Sequence, residues 1–174
     1  IYGNNLKKIA IAKIKYNIFS GEIHFLDNSN RELIEDKNQI KRVEILNDVQ
    51  EGNVKLILER GFSDAKNTLL PNQFVEVLNN GSNELLKKIT HKIVQVDSLF
   101  GTVKVNKFST SVSYYLKTST NCEHLKGLDH TEILSALPAK DVITEFEKTN
   151  KRKLKKEKDI IDFLNYYNSK TLIL

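Results

Sequence analysis

Residues 102–118, TVKVNKFSTSVSYYLKT, decide how the rest of the chain is read. From Phe108 to Leu116 the even positions carry Phe, Thr, Val, Tyr and Leu, while Ser109, Ser111, Ser113 and Tyr115 fill the odd ones. Successive side chains leave a strand on opposite sides, so apolar residues at every second position predict a strand with one buried face. Just upstream the parity is reversed, with Val103 and Val105 odd. A one-residue shift moves an apolar set to the other face. Asn106 and Lys107 are therefore expected to hold a tight turn or an inserted bulge residue, which excludes a plain continuous strand. The expected core includes Val103, Val105, Phe108, Val112, Tyr114 and Leu116. Tyr115 falls on the polar parity, where its ring either stacks on a base or packs under a helix; aromatic residues in strands mostly pack.

Outward from this stretch, residues 91–97 (HKIVQVD) form another apolar run, and Ser98 to Gly101 gives the chain a place to reverse. The two predict an antiparallel meander. Nearer the start, residues 8–16 and 22–26 read as a hairpin about Ser20-Gly21, with Ile9 to Ile11 apolar on both parities, as a strand covered on both faces or a short helix would be. Residues 40–46 and 54–60 alternate apolar with charged side chains and read as a second hairpin. Four antiparallel strands are thus expected before residue 61. Ser82 is read as the N-cap of a short connecting helix carrying Leu85, Leu86 and Ile89. After Asn121 the pattern becomes helical: Thr131 caps residues 132–137, Val142, Ile143 and Phe146 share a stripe, and a final helix over 154–168 aligns Ile160, Ile161, Leu164 and Tyr167. The expected fold class is α+β: an antiparallel sheet of about five to seven strands, a short connecting helix and a helical C-terminal segment. Residues 1–120 would form the sheet domain and 121–174 the helical segment packed on it.

Composition sets bounds. The 174 residues, 40% hydrophobic and 28% charged, suit one ordinary globular domain or two very small ones. No apolar run approaches the ~18 to 20 residues of a membrane-spanning helix, and the start lacks the pattern of a signal peptide. The lone Cys122 cannot close an internal disulfide, which points to a reducing compartment: the nucleus in a eukaryote, otherwise the cytoplasm. Asn80-Gly81-Ser82 spells a glycosylation acceptor, a pattern common by chance. A chain that begins at Ile1, has no methionine and ends on Leu172-Ile173-Leu174 reads as a piece of a longer polypeptide. The net charge of +5 permits a nucleic-acid partner without requiring one.

Part of that charge is gathered in residues 151–158 (KRKLKKEK), six basic residues in eight, preceded by Lys148. Lys148, Lys151, Arg152, Lys153, Lys155, Lys156 and Lys158 are the candidate nucleic-acid-binding residues, since lysines on one or two helical turns can neutralise phosphates. A solvated helix face explains the same run. Cys122, His124, Asp129 and His130 lie within nine positions, but C-x-H-x5-H supplies only three soft or nitrogen ligands and no metal is expected there. Asp27 with Glu35, Asp36 and Lys37 matches the spacing of metal-dependent nucleases only superficially, because those carboxylates must sit on adjacent rigid strands. Phosphate-binding glycine loops, a nucleophile elbow and C-x-x-C are all missing. Without a credible catalytic constellation or an expected cofactor, the reading is a non-catalytic intracellular interaction domain of a larger protein or assembly. Its partner would be another protein chain, or DNA or RNA through a basic C-terminal helix, and not a membrane. The alternative is a small nuclease or RNase-like toxin using Lys and His residues on the sheet.

Overall fold

A computed structural model describes residues 1–27, 29–35, 39–46, 54–97, 101, 103–138 and 140–171. Its architecture is α+β, with strands preceding helices. Seven strands pair in the order β1 (Tyr2–Gly3), β5 (Ile40–Leu46), β6 (Val54–Glu59), β7 (Val75–Val77), β8 (Glu84–Asp97), β9 (Lys104–Lys117) and β10 (Cys122–Leu125). A separate sheet holds β2 (Ile14–Asn17), β3 (Glu22–Leu26) and β4 (Glu32–Ile34). Helices α1 (His130–Ala136), α2 (Lys140–Asn150) and α3 (Glu157–Thr171) follow.

Both expected hairpins form. Ile14 pairs with Phe25 and Tyr16 with Ile23, while β5 and β6 are neighbours in the larger sheet. The first hairpin starts later than its isoleucines suggest: Ile9 and Ile11 precede β2 and are exposed, with no described element covering them. The polar residues after Asn30 form a third strand, β4. The connecting helix does not exist, and Leu85, Leu86 and Ile89 belong to β8. Leu85 is buried in the helix-covered core and Leu86 in a cluster with Leu69, Val75, Val77 and Tyr115. A strand buried on both faces shows consecutive apolar residues just as a helix does, which explains the misreading.

Strand β9 runs uninterrupted from Lys104 to Lys117, so the tight turn offered as one reading of Asn106 and Lys107 is absent. Of the expected core, only the C-terminal end of β9 is covered: Leu116 is fully buried and Tyr114 partly, whereas Val103, Val105, Phe108 and Val112 are exposed, Phe108 by 68%. Tyr115 does pack, at 1% exposure, though under the loop after β6 and not under a helix; its hydroxyl donates to Thr68 Oγ1 at 3.2 Å. The helical core joins Leu85, Leu116 and Leu125 to Ile133, Ile143, Phe146, Leu154, Ile160, Phe163 and Leu164. Helix α1 is capped by Asp129, whose carboxylate accepts from the amides of Thr131 and Glu132; Thr131 is a donor to the cap and not the cap itself.

The chain divides into two compact units that do not follow sequence order. One comprises Ile1–Arg42 and Lys88–Val112, and the other Val43–Lys87 and Ser113–Leu174. Strands β8 and β9 contribute to both.

Candidate interaction surface

The basic run is not a helix. Lys148 lies in the last turn of α2 and Lys158 in the first turn of α3, but Lys151, Arg152, Lys153, Lys155 and Lys156 form the connection between them. Lysine and arginine are good helix formers, so composition favours a helix here; the chain breaks it by other means. Lys151 takes a left-handed backbone with φ 51°, and the amide of Arg152 reaches back to the Glu147 carbonyl at 3.3 Å, the six-residue closure of a helix C-terminus normally built on glycine. On the far side the Asp159 carboxylate accepts from the amides of Lys156 and Lys155 at the start of α3. Arg152 is held by Asp159 and Asp162. The lysines point outward and are exposed.

Carboxylates flank this connection on both sides. The Glu147 side chain accepts from the Leu154 amide at 3.1 Å and pairs with His130 Nδ1 at 3.1 Å. Burial works to raise the Glu147 pKa, and the bonds from His130 and Leu154 outweigh it, holding the carboxyl below the usual range. Glu157 is bonded by Lys87 Nζ at 2.8 Å and by the Tyr114 hydroxyl at 2.7 Å. The whole second unit, basic run included, carries fifteen Lys and Arg against sixteen Asp and Glu.

The other candidates are dispersed. Cys122 is half-buried beneath the loop after β6, and burial, with Asp64 nearby, pushes its thiol up to about 11. That is a poor nucleophile and a poor metal ligand at neutral pH. His124 stacks edge-on against Tyr115, Asp129 caps α1, and His130 pairs with Glu147. Asp27 accepts from the Ser29 and Arg31 amides and from the Arg31 guanidinium, closing its own turn. Glu35 is buried, and Asp36 and Lys37 lie outside the described residues.

The nuclease alternative has one concrete location. A shallow pocket on the small sheet is lined by Lys13, Ile14, Lys15, His24, Phe25, Leu26 and Glu32. His24 Nδ1 lies 3.0 Å from Glu32 Oε1, to which Lys15 Nζ also turns at 3.7 Å. A His–Glu pair beside lysines is a reasonable acid–base set. Yet the second ring nitrogen, Nε2, is buried and faces Glu22 Oε2 at 3.8 Å. Both nitrogens are turned to carboxylates, so neither is presented to a substrate.

What the sequence reading missed is the exposure of the β8–β9 arm. Every described residue of 92–97 and 103–112 is exposed, including Ile93, Val94, Val96, Val103, Val105, Phe108 and Val112. His91 Nδ1 and Thr110 Oγ1 are 3.0 Å apart and mark one face of the arm. By alternation that face carries Ile89, Ile93, Phe108 and Val112, and the reverse face of β8 carries Val94 and Val96. Phe19, in the turn between β2 and β3, meets Phe108 edge-on with ring centroids 6.3 Å apart. Compared with known protein families, curated proteins and solved structures, the chain matches none.

Proposed function

We propose that the chain is a non-catalytic interaction domain of a larger protein or intracellular assembly, and that it docks onto another protein chain through the β8–β9 arm. The observation that carries this reading is an uneven division of apolar surface. Among the described residues, sixteen of the eighteen large exposed hydrophobic residues belong to the first unit, which holds only two of the twenty-one buried ones, Ile23 and Ile40. A unit so poor in core gains little from its own folding, and apolar surface in such quantity marks a place that another molecule covers. No helix among the described residues is long and apolar enough to cross a membrane.

The test is a photo-crosslinking side chain at Ile93 or Phe108, with Lys126 on the second unit as the control. Crosslinks to one defined protein, made from the arm and not from the control, are expected. Absence of crosslinks, or crosslinks to nucleic acid, would remove the reading. Phe108 is so exposed that its replacement should leave the fold intact.

The outward lysines between α2 and α3 favour nucleic acid as a second reading. It requires that replacing Lys151, Lys153, Lys155 and Lys156 by Gln flatten the salt dependence of duplex binding, by roughly 0.9 in slope per lost contact. The acidic neighbours of the run and the engagement of Arg152 make this the weaker reading. The nuclease alternative is weakened at His24, whose Nδ1 is engaged by Glu32 and whose Nε2 is buried.

A further inference from the structure

We infer that the chain docking on the β8–β9 arm is an acidic polypeptide, and not a second copy of this protein. This rests on the arm being the docking surface and adds the chemistry of what docks there. The first unit carries twelve Lys and Arg against six Asp and Glu, a net of +6, while the second is at −1. The net positive charge of the protein therefore belongs to the unit with exposed apolar surface and not to the one with the basic run. Within 88–112 the charged residues are Lys88, Lys92, Lys104 and Lys107 against Asp97, with His91 in addition. Lys92, Lys104 and Lys107 are exposed and stand among the valines and isoleucines of the same strands.

Such a surface discriminates between occupants. Two arms brought together would face like charge with like, and juxtaposed like charges at an interface cost several kcal/mol. Single-stranded nucleic acid meets the charge but needs aromatic platforms, and among the described residues of the arm all but one of the large exposed apolar side chains are aliphatic. The exception, Phe108, already meets Phe19 edge-on. An anionic lipid surface takes up one apolar face of an element lying on it, whereas this hairpin is apolar on both faces. An acidic chain with apolar side chains satisfies every feature: its carboxylates meet Lys92, Lys104 and Lys107, and its apolar residues cover those of the arm.

The experiment uses the full chain and a labelled synthetic peptide of 14 residues, the length of β8 and of β9, alternating Glu with Val. Counterparts carry Gln or Lys in place of Glu. Fluorescence anisotropy at low and high salt is the readout, with sedimentation velocity of the protein alone, an oligothymidylate and phosphatidylserine vesicles as further arms. The Glu peptide is expected to bind about tenfold or more tighter than the Gln peptide, to weaken with salt, and to lose that advantage when Lys92, Lys104 and Lys107 become Gln. Replacing Ile93 and Phe108 by Ser should weaken both peptides. Equal binding of the Glu and Gln peptides, both lost in the Ile93→Ser, Phe108→Ser variant, would overturn the acidic partner and leave the docking surface standing. Failure of every peptide would overturn both. Self-association of the unmodified protein, or preference for the oligonucleotide or the vesicles, would overturn the acidic polypeptide in favour of that occupant.

Discussion

Asn168 is the polar residue on which the end of α3 is fixed. Its Oδ1 accepts from the Asn83 amide at 3.1 Å, from Asn83 Nδ2 at 2.9 Å and from Ser82 Oγ at 3.3 Å, and its Nδ2 donates to the carbonyls of Asn83 and Asn80 at 2.9 and 3.2 Å. The side chain is buried, so these bonds replace water that cannot reach it. Gly81 makes room: its φ is +133°, and a Cβ there would stand 2.3 Å from Asn168 Nδ2. Asn168→Leu should cost about 2 to 3 kcal/mol by leaving the Asn83 amide and carbonyl without this partner. Gly81→Ala should also destabilise, through backbone strain and the clash. Urea denaturation followed by circular dichroism checks both, and an unchanged midpoint in Asn168→Leu would mean the network contributes nothing. The sequence held a faint signal of this contact, since Asn168 falls four residues after Leu164 on the apolar stripe, where a polar residue asks for a partner. It held no signal of which loop, 85 residues away, supplies that partner.

At the scale of elements, periodicity identified where strands lie and left open what covers them. Val112 and Leu116 have the same parity in β9, yet one is exposed and the other buried, because cover comes from α1 to α3 and not from the strand itself. The connection between α2 and α3 was misread for a related reason: propensity favours helix at each lysine, and a non-glycine residue at φ 51° cannot be foreseen from its type. That conformation costs an ordinary side chain about 1 kcal/mol or more, so Lys151→Gly should raise the melting temperature. A fall would show that Lys151 makes compensating contacts. The start of α3 is tied to β8 and β9 by ionisation. Burial pushes Tyr114 up, helped by its bond to Glu157, from an ordinary 10.0 to about 12; burial also works to raise Glu157, but the bonds from Lys87 and Tyr114 outweigh it and hold that carboxyl low. The raised tyrosine contributes stability that is complete below pH 10 and is lost as pH climbs toward 12. The depressed glutamate contributes stability present above the ordinary carboxylate range and lost as pH falls through it. The stability difference between the protein and Tyr114→Phe should therefore be greatest near neutrality and narrow in both acid and alkali. A difference constant with pH would remove the Tyr114–Glu157 bond from the account.

For the whole molecule, the decisive feature is that the two units are stabilised unequally. Among the described residues, nineteen of the twenty-one buried hydrophobic ones are in the second unit, where helices cover the sheet on one side and the loop after β6 covers Tyr115 on the other. Total hydrophobicity and net charge, as read from the sequence, averaged over both units and hid this contrast; the basic run drew attention to a unit that is nearly neutral. Opening free energy follows local burial, so backbone amides of the first unit should open at far less cost than those of the second. Hydrogen exchange measured by mass spectrometry should show peptides from 1–42 and 88–112 exchanging well ahead of those from 75–87 and 113–168. Within single strands the contrast should persist: in β9 the amides near Tyr115 and Leu116 should be protected while those near Phe108 are not, although both stretches are hydrogen-bonded strand. An acidic peptide bound to the arm should slow exchange in 88–112 and leave the second unit unaffected. Uniform protection of the two units without a partner would mean that the exposed arm is stable by itself and does not await cover.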